Sequence, residues 1–145
     1  HVRVAAIRRE VPDASLVRAV RLGRSAQLWI AGEMRAQKAP RQKVLSTAIV
    51  ATMTGLQFWM GPAGDPIPVA TVGWADVRSI TAGELAGGIR IQLGPDRTYI
   101  DFRAVGLRWL SPVIARGHAR ARVIGQLERL RDPAGAGSPG HSAGR

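Results

Sequence analysis

The sequence predicts an α+β domain, mainly β: five to seven short antiparallel strands joined by glycine- and proline-rich turns, closed by a C-terminal amphipathic helix, with an extra N-terminal helix. Three observations predict it. Between residues 44 and 102, β-branched and aromatic runs of four to nine residues alternate with Gly/Pro clusters. One of those runs, 89–93, alternates strictly apolar and polar, and a Gly-Pro-containing turn returns it over 98–102. From 113 to 131 the period changes to that of a helix, and Asp132-Pro133 ends it.

Taken in order, residues 2–11 mix arginines with aliphatics and fit no single template. Pro12-Asp13-Ala14-Ser15 reads as a helix start with Asp13 or Ser15 as N-cap. Leu16, Val17, Ala19 and Val20 then lie at helical spacing, with Arg18, Arg21 and Arg24 on the other side, and Gly23 interrupts. Over 26–32 the stretch either ends that helix or begins a strand, and Trp29 and Ile30 favour the strand. Residues 35–43 form a polar loop containing Pro40.

Residues 44–52 and 56–60 are two β-compatible runs around Met53-Thr54-Gly55, a hairpin in which Gly55 is expected to take a positive φ. Gly61-Pro62-Ala63-Gly64-Asp65-Pro66 is a turn. Val69-Ala70-Thr71-Val72 is extended. The stretch 74–80 has Trp74, Val77 and Ile80 three apart, which suggests a bent strand or bulge. Residues 83–88 are loop, and 103–110 has room for a further strand. Ser111-Pro112 supplies an N-cap and a first-turn proline for the last helix. Its apolar face is read as Val113, Ile114, Gly117, Ala121, Ile124 and Leu127, its polar face as His118, Arg122, Gln126 and Arg129. At about 18 residues it spans roughly 27 Å, enough to cover the open end of a small sheet. Trp59 and Trp74 are expected in the core, since large aromatics bury the most area.

This order resembles the pleckstrin-homology-like (PH-like) superfold over residues 26–131. The resemblance rests on Ala51-Thr52-Met53-Thr54-Gly55-Leu56-Gln57-Phe58-Trp59 and on Trp74-Ala75-Asp76-Val77-Arg78-Ser79-Ile80, which look like stretches of bacterial PH-like and GRAM-like domains. It implies a strongly bent antiparallel barrel or sandwich capped at one end by the last helix. Residues 1–25 then form a basic, partly helical leader, and 132–145, rich in Gly, Ser, Pro and Ala, a disordered tail.

The chain has 145 residues and no cysteine, which excludes a disulfide scaffold, a thiolate metal site and a cysteine nucleophile. Its net charge is +11, and the excess sits on the flanks. Residues 1–43 carry ten basic groups against three acidic, and 103–145 carry eight against two, while 44–102 carry three against five. Such flanks attract polyanions. Nineteen of the 21 basic residues are arginine, a bias that GC-rich coding also produces without any function.

Two basic groups stand out. Arg35, Lys38, Arg41 and Lys43 cluster in the loop before the first hairpin, where the resemblance implies phosphate gripping; an ordinary solvated loop is the alternative. Arg116, Arg120 and Arg122, with Arg129 further along and Arg108 nearby, form a patch on the last helix suited to lipid phosphates or a nucleic-acid backbone. Nothing supports catalysis or a cofactor. His1, His118 and His141 lie at a terminus, on a polar helix face and in a tail; Asp76, Asp96 and Asp101 are unpaired in sequence; and 83–88 lacks the lysine and helix context of a phosphate loop.

No targeting segment stands out, and the longest apolar stretch, 44–60, is too interrupted to span a membrane. The expectation is a cytoplasmic, non-enzymatic binding module, peripheral at the inner membrane face, whose partner is a protein or an anionic lipid surface. No small-molecule substrate is inferred. A basic small-β-barrel nucleic-acid binder is the alternative.

Overall fold

In a computed structural model of the chain, residues 2–38, 47–83, 87–94, 98–104 and 113–132 are described. Seven strands run β1 (Leu16–Leu22), β2 (Thr47–Ala51), β3 (Gly55–Met60), β4 (Ile67–Gly73), β5 (Val77–Ala82), β6 (Gly88–Leu93) and β7 (Thr98–Ala104). Among the described residues three helices accompany them: α1 (Val2–Glu10), α2 (Arg24–Ala36) and α3 (Val113–Arg131). The architecture is α+β, mainly β, with every neighbouring strand pair antiparallel.

The strand order β4-β3-β2-β1-β7-β6-β5 joins two meanders through the β1–β7 pair. It leaves β4 and β5, adjacent in sequence, at opposite edges of one open sheet. Only the 3₁₀ turn Trp74–Asp76 connects them. Laid flat, seven strands would hold these edges roughly 29 Å apart, from strand spacings of about 4.8 Å. Four residue steps reach only about 14 Å. The sheet must therefore roll, and one core cluster contains side chains of all seven strands, Val69 and Val72 of β4 together with Val77 and Ile80 of β5. Register shifts in β3–β4 at Phe58/Trp59 and in β5–β6 at Val77/Ser79 supply local bends of the kind expected over 74–80.

Two helices fill the roll. From α2, Ala26, Ile30 and Met34 are buried at four-residue intervals, and Trp29 meets Phe58 edge-on at 5.3 Å between ring centroids. From α3, Val123 and Leu127 are buried in the same core, with Ile124 and Leu130 packed against it. The convex side carries α1, whose Ile7 covers Val17, Ala48, Val50 and Trp59. With α1 outside and the core inside, β2 is buried at all five positions, which is why it reads as an unbroken apolar run.

The largest correction is an exchange of helix and strand. Residues 16–22 are a central strand, and 24–36 are a helix. Leu16, Val17 and Val20 satisfy helical spacing only because a strand covered on both faces buries neighbours of either parity: Leu16, Val20 and Leu22 face the core while Val17 faces α1. Neither Asp13 nor Ser15 starts a helix; the Ser15 N–H donates to the Ala51 carbonyl at 2.9 Å as the chain joins the sheet. Gly23 does not interrupt a helix. It is the N-cap of α2 in extended geometry, and a Cβ there would stand 2.9 Å from the Asp101 Cβ.

Gly55 is needed for a different reason than expected. It has no positive φ; a Cβ would lie 2.3 Å from the Val72 carbonyl oxygen across the β3–β4 pair. The β2–β3 and β6–β7 hairpins form as expected, the second closing on Leu93 opposite Thr98. Trp59 and Trp74 are buried, and the Trp74 Nε1–H donates to the Thr52 carbonyl at 2.8 Å. The apolar face of α3 is turned from the one expected: Ala121 is exposed and Val123 is buried. The expected cap Ser111-Pro112, any strand within 105–110 and the tail from 133 onward lie outside the described residues.

At the free edge of β5, the Arg131 guanidinium donates to the carbonyls of Arg78 (2.7 Å) and Val77 (3.4 Å). Glu128 one turn earlier holds it there at 2.7 Å.

Candidate basic groove between β1 and α3

Alternation along β1 fixes where its arginines go. Leu16, Val20 and Leu22 face the core, so Arg18 projects to that same side, while Arg21 projects to the other. Arg18 is half-buried and meets the polar side of α3. Between them lies an open groove of ≈ 640 Å³, walled by Arg18 and by His118, Arg122, Gln126 and Arg129 of α3. Gly125 leaves room in the wall, and the Arg129 guanidinium lies over it, 3.5 Å from where a Cβ would stand.

Among the described residues no acidic side chain lines this groove, and Arg18, Arg122 and Arg129 enter no ion pair or hydrogen bond. Three guanidinium groups facing one space repel one another, and a bound anion relieves that repulsion. Each offers a planar fork of donors matched to phosphate or carboxylate oxygens. The walls carry no Phe, Tyr or Trp side chain.

The sequence-derived candidates divide. Arg122 lines the groove; Arg120 is half-buried on α3 but does not line it; Arg116 falls within α3. Arg35 and Lys38 are exposed at the C-terminal end of α2, Arg35 in the helix and Lys38 in the turn that follows it. Arg35 belongs to the last helical turn, and Lys38 takes a left-handed φ of 53° as its N–H donates to the Arg35 carbonyl. Cations beside the negative end of a helix are a stabilising arrangement in themselves. Arg41 and Lys43 lie outside the described residues. Arg18 was missed because residues 16–22 read as a helix. The available signal was an arginine at the centre of Leu16-Val17-Arg18-Ala19-Val20-Arg21-Leu22, on the same parity as three apolar residues.

Among the described residues no group of three His, Cys, Asp or Glu side chains could hold a metal, and no helix is long and apolar enough to cross a membrane. His118 is exposed. Compared with known proteins, the chain matches no family model and has no significant match among curated proteins.

Proposed function

We propose that this chain is a non-enzymatic, PH-like binding module that docks on an anionic membrane surface through the groove between β1 and α3. The observation that carries the reading is the convergence of Arg18, Arg122 and Arg129 from two elements on one open space with no acidic counterpart among the described residues. A lipid surface presents many dispersed phosphates, and an open arginine array engages it without a shape-matched anchor. A protein partner would favour a large aromatic or aliphatic anchor at the centre of the contact, whereas the apolar part of this wall is only Ala119, Ala121 and the buried Val123.

The rolled antiparallel sheet with its last helix packed on β5 and β6 supports the PH-like reading, and α2 between β1 and β2 is the departure from the expected plan. The corresponding location is the cytoplasmic face of a membrane. Nucleic acid is the less favoured ligand because single-strand binders stack bases on exposed rings. Among the described residues Phe58, Phe102, Trp59 and Trp74 are buried, Trp29 is half-buried against Phe58, and Tyr99 is half-buried against the Arg90 guanidinium, 4.9 Å from the ring centroid.

The test is co-sedimentation of the chain with neutral phosphatidylcholine vesicles and with vesicles containing phosphatidylglycerol, beside single-stranded and duplex oligonucleotides, in a salt series. Retention on the anionic vesicles, falling steeply with salt, is the expected result. Each of Arg18→Gln, Arg122→Gln and Arg129→Gln should weaken it roughly 5-fold, and the triple variant roughly 100-fold, from about 1 kcal/mol per cation near an anionic surface. Equal binding to neutral vesicles, an unaffected triple variant, or binding to oligonucleotides alone overturns the proposal.

A further inference from the structure

A second cavity, sharing no lining residue with the groove above, occupies ≈ 260 Å³ where the end of β1 and the start of α2 meet β6 and β7. We infer that it is a receptor for a phosphate monoester, a ligand class independent of the membrane-docking reading. Two properties of its lining point there.

The first is charge. Arg21, Arg24, Arg90 and Arg103 line the cavity against a single carboxylate among the described residues, Asp101. That carboxylate is committed: it grips Arg90 through two contacts, at 2.9 Å and 3.4 Å, while the same guanidinium stacks on Tyr99. The side chains of Arg21, Arg24 and Arg103 have no hydrogen-bonding or ionic partner among the described residues. They come from β1, α2 and β7, so the sheet and the helix, not one flexible loop, bring them together. Three cations without a counter-charge among the described residues are matched better by a phosphate dianion than by a carboxylate or a phosphodiester, each of which carries one charge.

The second is shape. The floor is sheet backbone at Leu22, Ile89 and Phe102, whose side chains are buried in the core on the face opposite Arg21 and Arg103. A space of this volume equals the share of about nine liquid waters, more than one phosphate fills, which leaves room for the first carbons of an esterified group beside the anion. Gly23, Gly83 and Gly88 contribute backbone to the walls. At Gly23 a Cβ would run into Asp101, so the close approach of α2 to β7 that shapes the cavity depends on glycine.

The experiment titrates the folded chain with inorganic phosphate and with hexyl phosphate, by calorimetry. It also compares vesicles of phosphatidic acid, whose phosphate is a monoester, with phosphatidylglycerol vesicles of matched surface charge. Hexyl phosphate should bind at least as tightly as inorganic phosphate, since the cavity has room for the ester carbons beside the anion. Arg24→Gln and Arg103→Gln should each weaken it about 10-fold or more, as expected for a lost charge-assisted contact, and Arg24→Lys by less. Arg18→Gln/Arg122→Gln should leave it unchanged, which separates this site from the groove on α3. A preference for phosphatidic acid that Arg24→Gln abolishes identifies the source as a lipid headgroup. Binding of the soluble ester without that preference identifies a free phosphate compound. Absence of ester binding at tens of millimolar, or equal binding by the wild type and an Arg24→Gln/Arg103→Gln variant with unchanged circular dichroism, overturns the inference.

Discussion

Truncating Leu127 to alanine tests whether α3 belongs to the core or merely rests on it. Leu127 is fully buried among side chains that come from the sheet and from α2. The substitution removes three carbons, a transfer loss of about 2.4 kcal/mol at about 0.8 kcal/mol each. Incomplete collapse of the cavity adds to this, within the roughly 2–5 kcal/mol span for buried Leu→Ala changes. About 3 kcal/mol is expected. Urea unfolding followed by circular dichroism should show a lower midpoint at an unchanged slope. The melting temperature should fall by roughly 10 °C, at several degrees per kcal/mol for a domain of this size. Ile124→Ala should cost less, because Ile124 is half-buried, and Ala121→Arg should stay within about 0.5 kcal/mol, because Ala121 is exposed. The helix face read from sequence, with Ala121 inward, demands the opposite for Ala121→Arg. A loss below about 1 kcal/mol for Leu127→Ala, or a separate early transition for the helix, would refute the reasoning.

Gly55→Ala forces a methyl to 2.3 Å from a backbone oxygen that cannot swing aside, so β3 and β4 must part locally. The expected cost is about 3 kcal/mol or more, and a urea midpoint close to wild type would contradict it. Trp74→Phe keeps most of the buried ring but leaves the Thr52 carbonyl without its donor, at an expected cost of about 1–3 kcal/mol by thermal denaturation. An unchanged melting temperature would mean that this bond does not tie the β2–β3 hairpin to the crossing turn.

The parts legible in sequence were those whose local pattern and tertiary role coincide. The β6–β7 hairpin alternates because one face is buried, and α3 shows a helical period because one stripe is buried. Reading failed at 16–36, where tertiary context decides. A strand buried on both faces loses its alternation, and residues 24–36 hold Trp29 and Ile30, strand formers by propensity that tertiary packing keeps in a helix. The same failure hid Arg18, since its role depends on which side of β1 it occupies. Arg122 was legible because a helix face can be read locally. The cavity holding Arg21, Arg24 and Arg103 was not, for it is assembled by the β1–β7 pairing across some eighty residues of chain.

The Arg131 clamp bears on how the molecule behaves when crowded. An open sheet has two ends at which a neighbour's backbone could continue the ladder and seed a fibre. At β5 the guanidinium already occupies the carbonyls of Val77 and Arg78 that such a neighbour would need. At β4 the edge strand contains Pro68, which has no N–H to offer. Both ends of the ladder thus carry a chemical stop against templated growth, so many copies can gather on one surface without stitching their sheets together.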